Sequence, residues 1–81
     1  MANILAIDDE IPILELIKNG LQKDGHTVST YPSVSQIPLE YLNRYDLIML
    51  DIMMPDTDGF TFCKKIRSLV DCPILFLTAK T

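Results

Sequence analysis

Four polar residues follow apolar runs, at positions where their side chains could do chemistry. They are Asp8 and Asp9 after "NILAI" (3–7), Asp51 after "DLIML" (46–50), and Thr78 within "CPILFLTA" (72–79). Short apolar runs of this kind are typical of strands that are buried on both faces of a parallel sheet. Because the carboxyl ends of such strands meet at one edge, we expect three carboxylates and a hydroxyl to lie there together.

Carboxylates brought close together repel one another, and each raises the pKa of its neighbours unless a cation lies among them. Mg²⁺ fits such a position, because it takes a few carboxylate oxygens and keeps places open for water or phosphate. A carboxylate can also attack phosphorus and form an aspartyl phosphate. The pattern therefore predicts a Mg²⁺ site in which Asp51 is a candidate nucleophile.

The first half of the chain predicts one helix between two strands. Pro12 suits the first turn of a helix and Gly25 suits its end, with apolar residues between them at Ile13, Leu14, Leu16, Ile17 and Leu21. The segment "HTVSTY" at 26–31 is rich in β-branched residues and only half apolar. It predicts a short strand near the edge of the sheet.

The second half continues the alternation of strand and helix. Pro38 interrupts a helical pattern between 32 and 44, which predicts one short or irregular helix there. Asp58 and Gly59 open a further helix, whose predicted apolar face is Phe62, Cys63, Ile66, Leu69 and Val70. The whole order indicates a single α/β domain with parallel strands.

Composition and charge exclude several classes of function. The 81 residues carry 7 basic and 11 acidic side chains, for a net charge of −4, which argues against nucleic-acid binding or a basic membrane patch. No apolar stretch approaches the ~20 residues that cross a bilayer, and acid follows the first strand too early for a secretory signal, so a cytoplasmic protein is expected. The positions of Cys63, Cys72 and His26 do not match a zinc site.

The sequence resembles the receiver domain of bacterial two-component response regulators. The matching segments are "IDDE" at 7–10, "IMLDIMMPDTDG" at 48–59 and "PILFLTA" at 73–79. The resemblance runs from the first residue to the last. It implies a flavodoxin-like, doubly wound parallel sheet of four strands in the order 2-1-3-4, with about three helices. Residues 1–81 would then form a partial receiver domain.

The resemblance also implies a role for each matching site residue. Asp51 accepts a phosphoryl group from the phosphohistidine of a sensor histidine kinase, and Thr78 moves its hydroxyl toward that group. Asp9 binds Mg²⁺ directly and Asp8 helps to hold its hydration shell, while Asp51 and the backbone carbonyl of Met53 complete the metal site. Such a domain regulates an output and is not an enzyme in its own right.

Three further positions match the family, and one does not. Pro55 and Gly59 match the loop that shapes the pocket, and Ala79 matches a small residue that leaves access to it. Family domains continue with a fourth helix, a fifth strand that ends in a lysine, and a fifth helix, all of which this sequence lacks. Lys80 follows Thr78 on the same strand exit and is not that lysine. DNA would be contacted only through an output domain outside this chain.

The missing elements predict exposed apolar surface. Without a fifth strand, the fourth strand is an unpaired edge rich in Ile, Leu and Phe. Without the last helix, part of the sheet beside the first helix is bare. We therefore expect a chain that associates with itself, exchanges elements between copies or is marginally folded.

Other interpretations compete with phosphoryl acceptance. "DTDG" at 56–59 suggests a calcium loop, but Gly59 as its sixth residue would put Met54 and Lys65 where carboxylates are required. An aspartate-nucleophile phosphohydrolase typically has a second acid two residues after the nucleophile, where this chain has Met53. A receiver-like module that acts only by docking stays open, as does the possibility that the aspartates merely cap helices and turns.

Overall fold

The computed structural model describes residues 1–54 and 58–77. The strands are β1 (Asn3–Ile7), β2 (Thr27–Tyr31), β3 (Leu47–Asp51) and β4 (Ile74–Leu77). The α-helices are α1 (Ile11–Lys23) and α2 (Gly59–Ile66), and two 3₁₀ helices lie at Val34–Gln36 and Leu39–Arg44. Strands and helices alternate along the chain as predicted.

The four strands form one parallel sheet in the order β2-β1-β3-β4. Its central strands are β1 and β3, which pair in the register Leu5 to Ile48 and Ile7 to Leu50. Residues 4–7 of β1 are buried on both sides of the sheet, which explains why that strand is a continuous apolar run. The predicted flavodoxin-like architecture and strand order are confirmed.

The two faces of the sheet are covered to different extents. On one face, side chains of the sheet pack with α2 and the segment between β2 and β3 to form the main hydrophobic cluster. The buried residues of this cluster are Leu5, Ile7, Ile37, Leu42, Ile48, Leu50, Met54, Phe62, Ile66 and Val70. The buried apolar residues outside this cluster are Ile4, Ala6, Leu14 and Val28. Most of the core therefore lies on the α2 side of the sheet.

Helix α1 begins and ends where its sequence predicts. Pro12 lies in its first turn, where the missing N–H costs no hydrogen bond. Gly25 has a φ of 90°, and its N–H donates to the Gln22 carbonyl at 3.0 Å. The N–H of His26 donates to the Leu21 carbonyl at 3.2 Å, which completes a Schellman motif. This motif requires a residue in the left-handed region of backbone conformation, which glycine adopts without steric cost.

The apolar face predicted for α1 is only partly covered. Leu14 is its one buried residue, whereas Ile13 is 36% exposed and Leu16 is 71% exposed. Ile17 and Leu21 are half-buried. Among the described residues, the helix thus packs on the sheet along a single narrow line.

The segment between β2 and β3 forms two 3₁₀ helices rather than one helix. Pro38 is the N-cap of the second, and its missing N–H and fixed φ prevent the first from continuing through it. The Ser33 hydroxyl accepts from the Ser35 N–H at 3.2 Å and starts the first. The predicted irregularity is confirmed, with a division at the proline.

Helix α2 starts at the predicted cap. A carboxylate oxygen of Asp58 accepts from the Thr61 N–H at 2.7 Å, and the other accepts from the Thr61 hydroxyl at 3.1 Å. The helix ends at Ile66, so Leu69 lies beyond it and is 44% exposed instead of joining the apolar face. None of the helices in the described part of the chain has the length and apolar character needed to span a bilayer.

Candidate functional site

Two neighbouring acids follow the end of β1. Asp8 is only 6% exposed, and its N–H donates to the Tyr31 carbonyl at 3.2 Å, which extends the pairing of β1 with β2 by one bond. Its carboxylate Oδ1 accepts from the Glu10 N–H at 2.9 Å, in the turn that leads into α1. Asp9, which lies between Asp8 and Glu10, is exposed. The strand and this turn together hold Asp8 at the edge of the sheet.

Asp51 is the last residue of β3, beside the end of β1. Its backbone belongs to the sheet, in register with Leu77 of β4, and its side chain is 6% exposed. Oδ1 accepts from the Met53 N–H at 3.2 Å. The sheet and the turn after it therefore fix this carboxylate where the apolar strand meets the edge.

The structure brings the three predicted aspartates into one group. One carboxylate oxygen from each of Asp8, Asp9 and Asp51 lies within 4.8 Å of the others. Asp8 and Asp51 are buried and Asp9 is exposed, so the group opens to solvent on one side. Hard oxygen donors at this separation fit Mg²⁺ or a similar hard cation.

The acidic group has an electrostatic cost that falls on Asp51. The pKa of Asp51 is raised to about 6, chiefly because burial disfavours the charged carboxylate. The charge of Asp8 and the hydrogen bond and charge of Asp9 contribute to this rise, whereas the hydrogen bond from the Met53 N–H opposes it. A bound cation would reverse that effect, because it favours the ionised carboxylates.

Gly59, the first residue of α2, lies directly against the backbone at the end of β3. Its N–H donates to the Ile52 carbonyl at 2.6 Å, and a Cβ built on it would lie 2.8 Å from the Ile52 Cα and closer still to the Asp51 carbonyl oxygen. Real Cβ atoms do not approach backbone atoms so closely. The pairing of Met53 with Asp58 continues this close contact. Glycine is therefore required where α2 starts beside Asp51.

The other predicted site residues remain predictions. Met53 has an exposed side chain, and ligation by its backbone carbonyl stays an expectation. Thr78 lies outside the described residues, as do Pro55 and Ala79. Sequence patterns gave no indication of the close approach at Gly59 or of the Tyr31 carbonyl as the partner of the Asp8 N–H.

The comparison with protein families assigns the chain. Residues 4–81 match the model of the response regulator receiver domain. The chain belongs to this family. This assignment covers both acidic strand ends, and it confirms the resemblance that the sequence motifs indicated.

Related receiver domains support the same assignment. The chain is 60% identical over 81 residues to the transcriptional regulatory protein SpaR of Bacillus subtilis, covering 100% of this chain and 37% of that protein. The chemotaxis protein CheY4 of Vibrio cholerae matches with a TM-score of 0.87 and 35% identity, over 100% of this chain and 71% of that one.

A third relative was solved with a metal. The response regulator TrrA of Thermotoga maritima, in complex with Mg²⁺ and BeF, matches with a TM-score of 0.81 and 33% identity, over 100% of this chain and 72% of that one. The 81-residue chain thus spans about a third of the length of SpaR and about seven-tenths of the CheY4 and TrrA chains. Family members are regulatory proteins.

Proposed function

We propose that this receiver domain accepts a phosphoryl group on Asp51 from the phosphohistidine of a sensor histidine kinase. The observation that carries the proposal is the group of Asp8, Asp9 and Asp51, whose carboxylate oxygens lie within 4.8 Å of one another. Asp8 and Asp51 each accept one backbone N–H in the turn that follows, but those bonds do not require three acids together, and burial and the neighbouring charges raise the pKa of Asp51. A cation-dependent reaction at Asp51 accounts for both features.

The chain's own residues would prepare the reaction. Asp8, Asp9, Asp51 and the Met53 carbonyl would hold Mg²⁺, which when bound offsets the negative charge that gathers on the transferring group. A carboxylate oxygen of Asp51 attacks phosphorus as the bond from phosphorus to the histidine nitrogen of the kinase breaks. The Met53 N–H donates to Oδ1 of Asp51 and so helps to hold the carboxylate in place for this attack. The Thr78 hydroxyl would move toward the new phosphoryl group.

The proposed consequence is regulation and not turnover of a substrate. Phosphorylation adds charge at the edge of the sheet, where it can bias a two-state surface of the parent protein. Because SpaR is a transcriptional regulatory protein, we propose that residues 1–81 form a partial receiver domain that reaches DNA only through an output domain outside this chain. We place its function in the cytoplasm, away from the membrane.

The test is the intact mass of the folded chain after incubation with Mg²⁺ and acetyl phosphate. The expected result is a gain of one phosphoryl group that is lost with EDTA and absent from Asp51→Asn. Asp9→Asn should slow the gain through the metal, and Thr78→Ala should slow it at saturating Mg²⁺. Asp46→Asn is a matched control. The Asp46 carboxylate accepts from the Asn3 N–H at 2.8 Å, at the amino-terminal ends of β1 and β3 and so at the other end of these strands from the acidic group.

Two results would favour the competing functions. A folded chain that gains no mass would be a receiver-like module that acts by docking. Repeated release of phosphate from p-nitrophenyl phosphate would indicate an aspartate-nucleophile phosphohydrolase, and would contradict a regulatory domain that turns over no substrate.

We also propose that the 81-residue chain associates with itself through β4. This strand is an outer strand of the sheet, and Leu75 is 51% exposed on it. Phe60, 54% exposed, lies on the opposite side of the strand, with its ring centroid 4.9 Å from that of Phe76. An outer strand with apolar side chains on both sides favours pairing with a second copy.

Light scattering at increasing protein concentration tests this association. Leu75→Lys should shift the average mass toward that of a monomer, because a charge on an outer strand disfavours pairing. Thr27→Lys is the matched control on β2 at the opposite edge of the sheet and should leave the mass unchanged. A monomer at all concentrations in the unmodified chain would refute the association.

A further inference from the structure

A cavity of about 280 Å³ lies between β2 and the second 3₁₀ helix, and shares no residue with the acidic group. Its lining includes Ser29, Tyr31, Ile37, Tyr41, Arg44 and Tyr45. Small-molecule sites in proteins usually measure about 300 to 1,000 Å³. This cavity lies just below that range, so it would take only a small ligand, such as one with a single ring.

Apolar and polar residues both line the cavity. Ile37 is 7% exposed and joins the cavity to the main core. Tyr31 and Tyr45 are half-buried and pack against that core, and each carries a phenol hydroxyl. Ser29 lies two residues before Tyr31 on the same face of β2 and adds a third hydroxyl. A flat apolar ligand with a polar end fits such a lining.

Arg44 determines the charge that the cavity would attract. Among the described lining residues it is the only charged one, in a chain whose net charge is −4. Its guanidinium carbon lies 4.6 Å from the centroid of the Tyr41 ring. Stacking on an aromatic ring occupies one face of the guanidinium and leaves its edge of N–H donors for a carboxylate. Arg44 is exposed, and its contact with Tyr41 keeps the cation beside the cavity.

We propose that this cavity binds a small aromatic carboxylate. The carboxylate would accept hydrogen bonds from Arg44, and the ring would lie over Ile37 among the tyrosines. A planar carboxylate matches the guanidinium edge better than a single point of charge does. The site would give the domain a ligand input independent of Asp51.

Benzoate is the probe, and its binding is followed by the backbone amide shifts of the ¹⁵N-labelled chain. The expected result is a saturable shift centred on Ser29, Tyr31 and Tyr45. Arg44→Gln keeps most of the side-chain stem and removes the cation, and should weaken binding by at least about tenfold. Arg67→Gln, a matched change of an exposed arginine in a part of the chain outside the cavity, should leave binding unchanged.

Two related ligands test the chemistry. Benzamide, the neutral analogue, and acetate, which lacks the ring, should each bind at least about tenfold more weakly than benzoate. Equal shifts with benzamide would overturn the role of Arg44, and equal shifts with acetate would overturn recognition of the ring. Shifts that do not saturate, or that survive unchanged in Arg44→Gln, would overturn the site itself.

Discussion

The two faces of the sheet differ in how much they contribute to the fold. On the α2 side, ten buried residues form one cluster, whereas the α1 side adds four buried apolar residues and leaves Leu16 and Leu75 exposed. The acidic group lies at the edge between the two faces, on strands that both faces share. One face therefore holds β1 and β3 in place, and with them the aspartates, while the other face is only thinly covered.

The largest expected effect is a direct contrast between the faces. Leu50→Ala, at a side chain that is 0% exposed, should reduce the free energy of unfolding by about 2 to 5 kcal/mol, because it leaves a cavity in the main cluster. Leu75→Ala, at a residue that is 51% exposed, should cost about 0.5 kcal/mol. Urea unfolding followed by circular dichroism measures both, and similar losses would contradict the contrast.

The next effect tests how the α2 side supports the site. Gly59→Ala should cost about 1 to 3 kcal/mol, since the added Cβ overlaps the backbone of Asp51 and Ile52. It should also slow phosphorylation, because the backbone of Asp51 must shift. Gly20→Ala is the matched control in α1, where an added Cβ meets nothing within 4 Å, and it should stabilise the chain slightly. Normal phosphorylation of Gly59→Ala would contradict the inference that the close contact at Gly59 fixes the position of Asp51.

A smaller effect is expected at the end of α1, on the thinly covered side. Gly25 has a φ of 90°, so Gly25→Ala should lose about 1 to 2 kcal/mol of stability through backbone strain alone. Gly25→Asn should lose less, because asparagine tolerates the left-handed region better. Thermal unfolding of the two variants side by side checks this order, and a larger loss for the asparagine variant would contradict it.

The smallest effect concerns the edge that both faces share. In EDTA, the raised pKa of Asp51, about 6, means that folding favours its protonated form. The stabilisation from that protonation is fully present below the ordinary pKa of an aspartate and is lost as the pH rises through about 6. Asp51→Asn should therefore stabilise the metal-free chain at pH 7.5 by about 1 kcal/mol, less than the full pKa shift would give, because solvent on the open side of the acidic group screens its charges.

The same change should have a smaller effect at pH 5, where folded Asp51 is largely protonated but the aspartate of the unfolded chain is still ionised. Urea unfolding at the two pH values measures the difference. Addition of Mg²⁺ at pH 7.5 should stabilise the unmodified chain and not Asp51→Asn. An equal response of both chains to Mg²⁺ would show that the metal binds elsewhere.

Local sequence patterns were enough to predict the strands, the first helix and the meeting of three aspartates at one edge. Apolar runs such as 3–7 mark strands buried on both faces, and Pro12 and Gly25 mark the ends of α1 through local backbone geometry. Once the elements alternate, right-handed connections bring all the strand ends to one edge. The grouping of Asp8, Asp9 and Asp51 therefore followed from local patterns and a general rule of handedness.

The coverage of each element and the close approaches of the backbone depend on how the elements pack together, which local patterns do not specify. Ile13 and Leu69 belong to apolar patterns, yet each is at least 36% exposed, because burial depends on what packs opposite a residue. Gly59 begins a predicted helix and matches the pocket loop of the family, but its close contact with the Asp51 backbone needs β3 and α2 in place. The raised pKa of Asp51 likewise arises from burial and from charges that meet only when β1 and β3 pair.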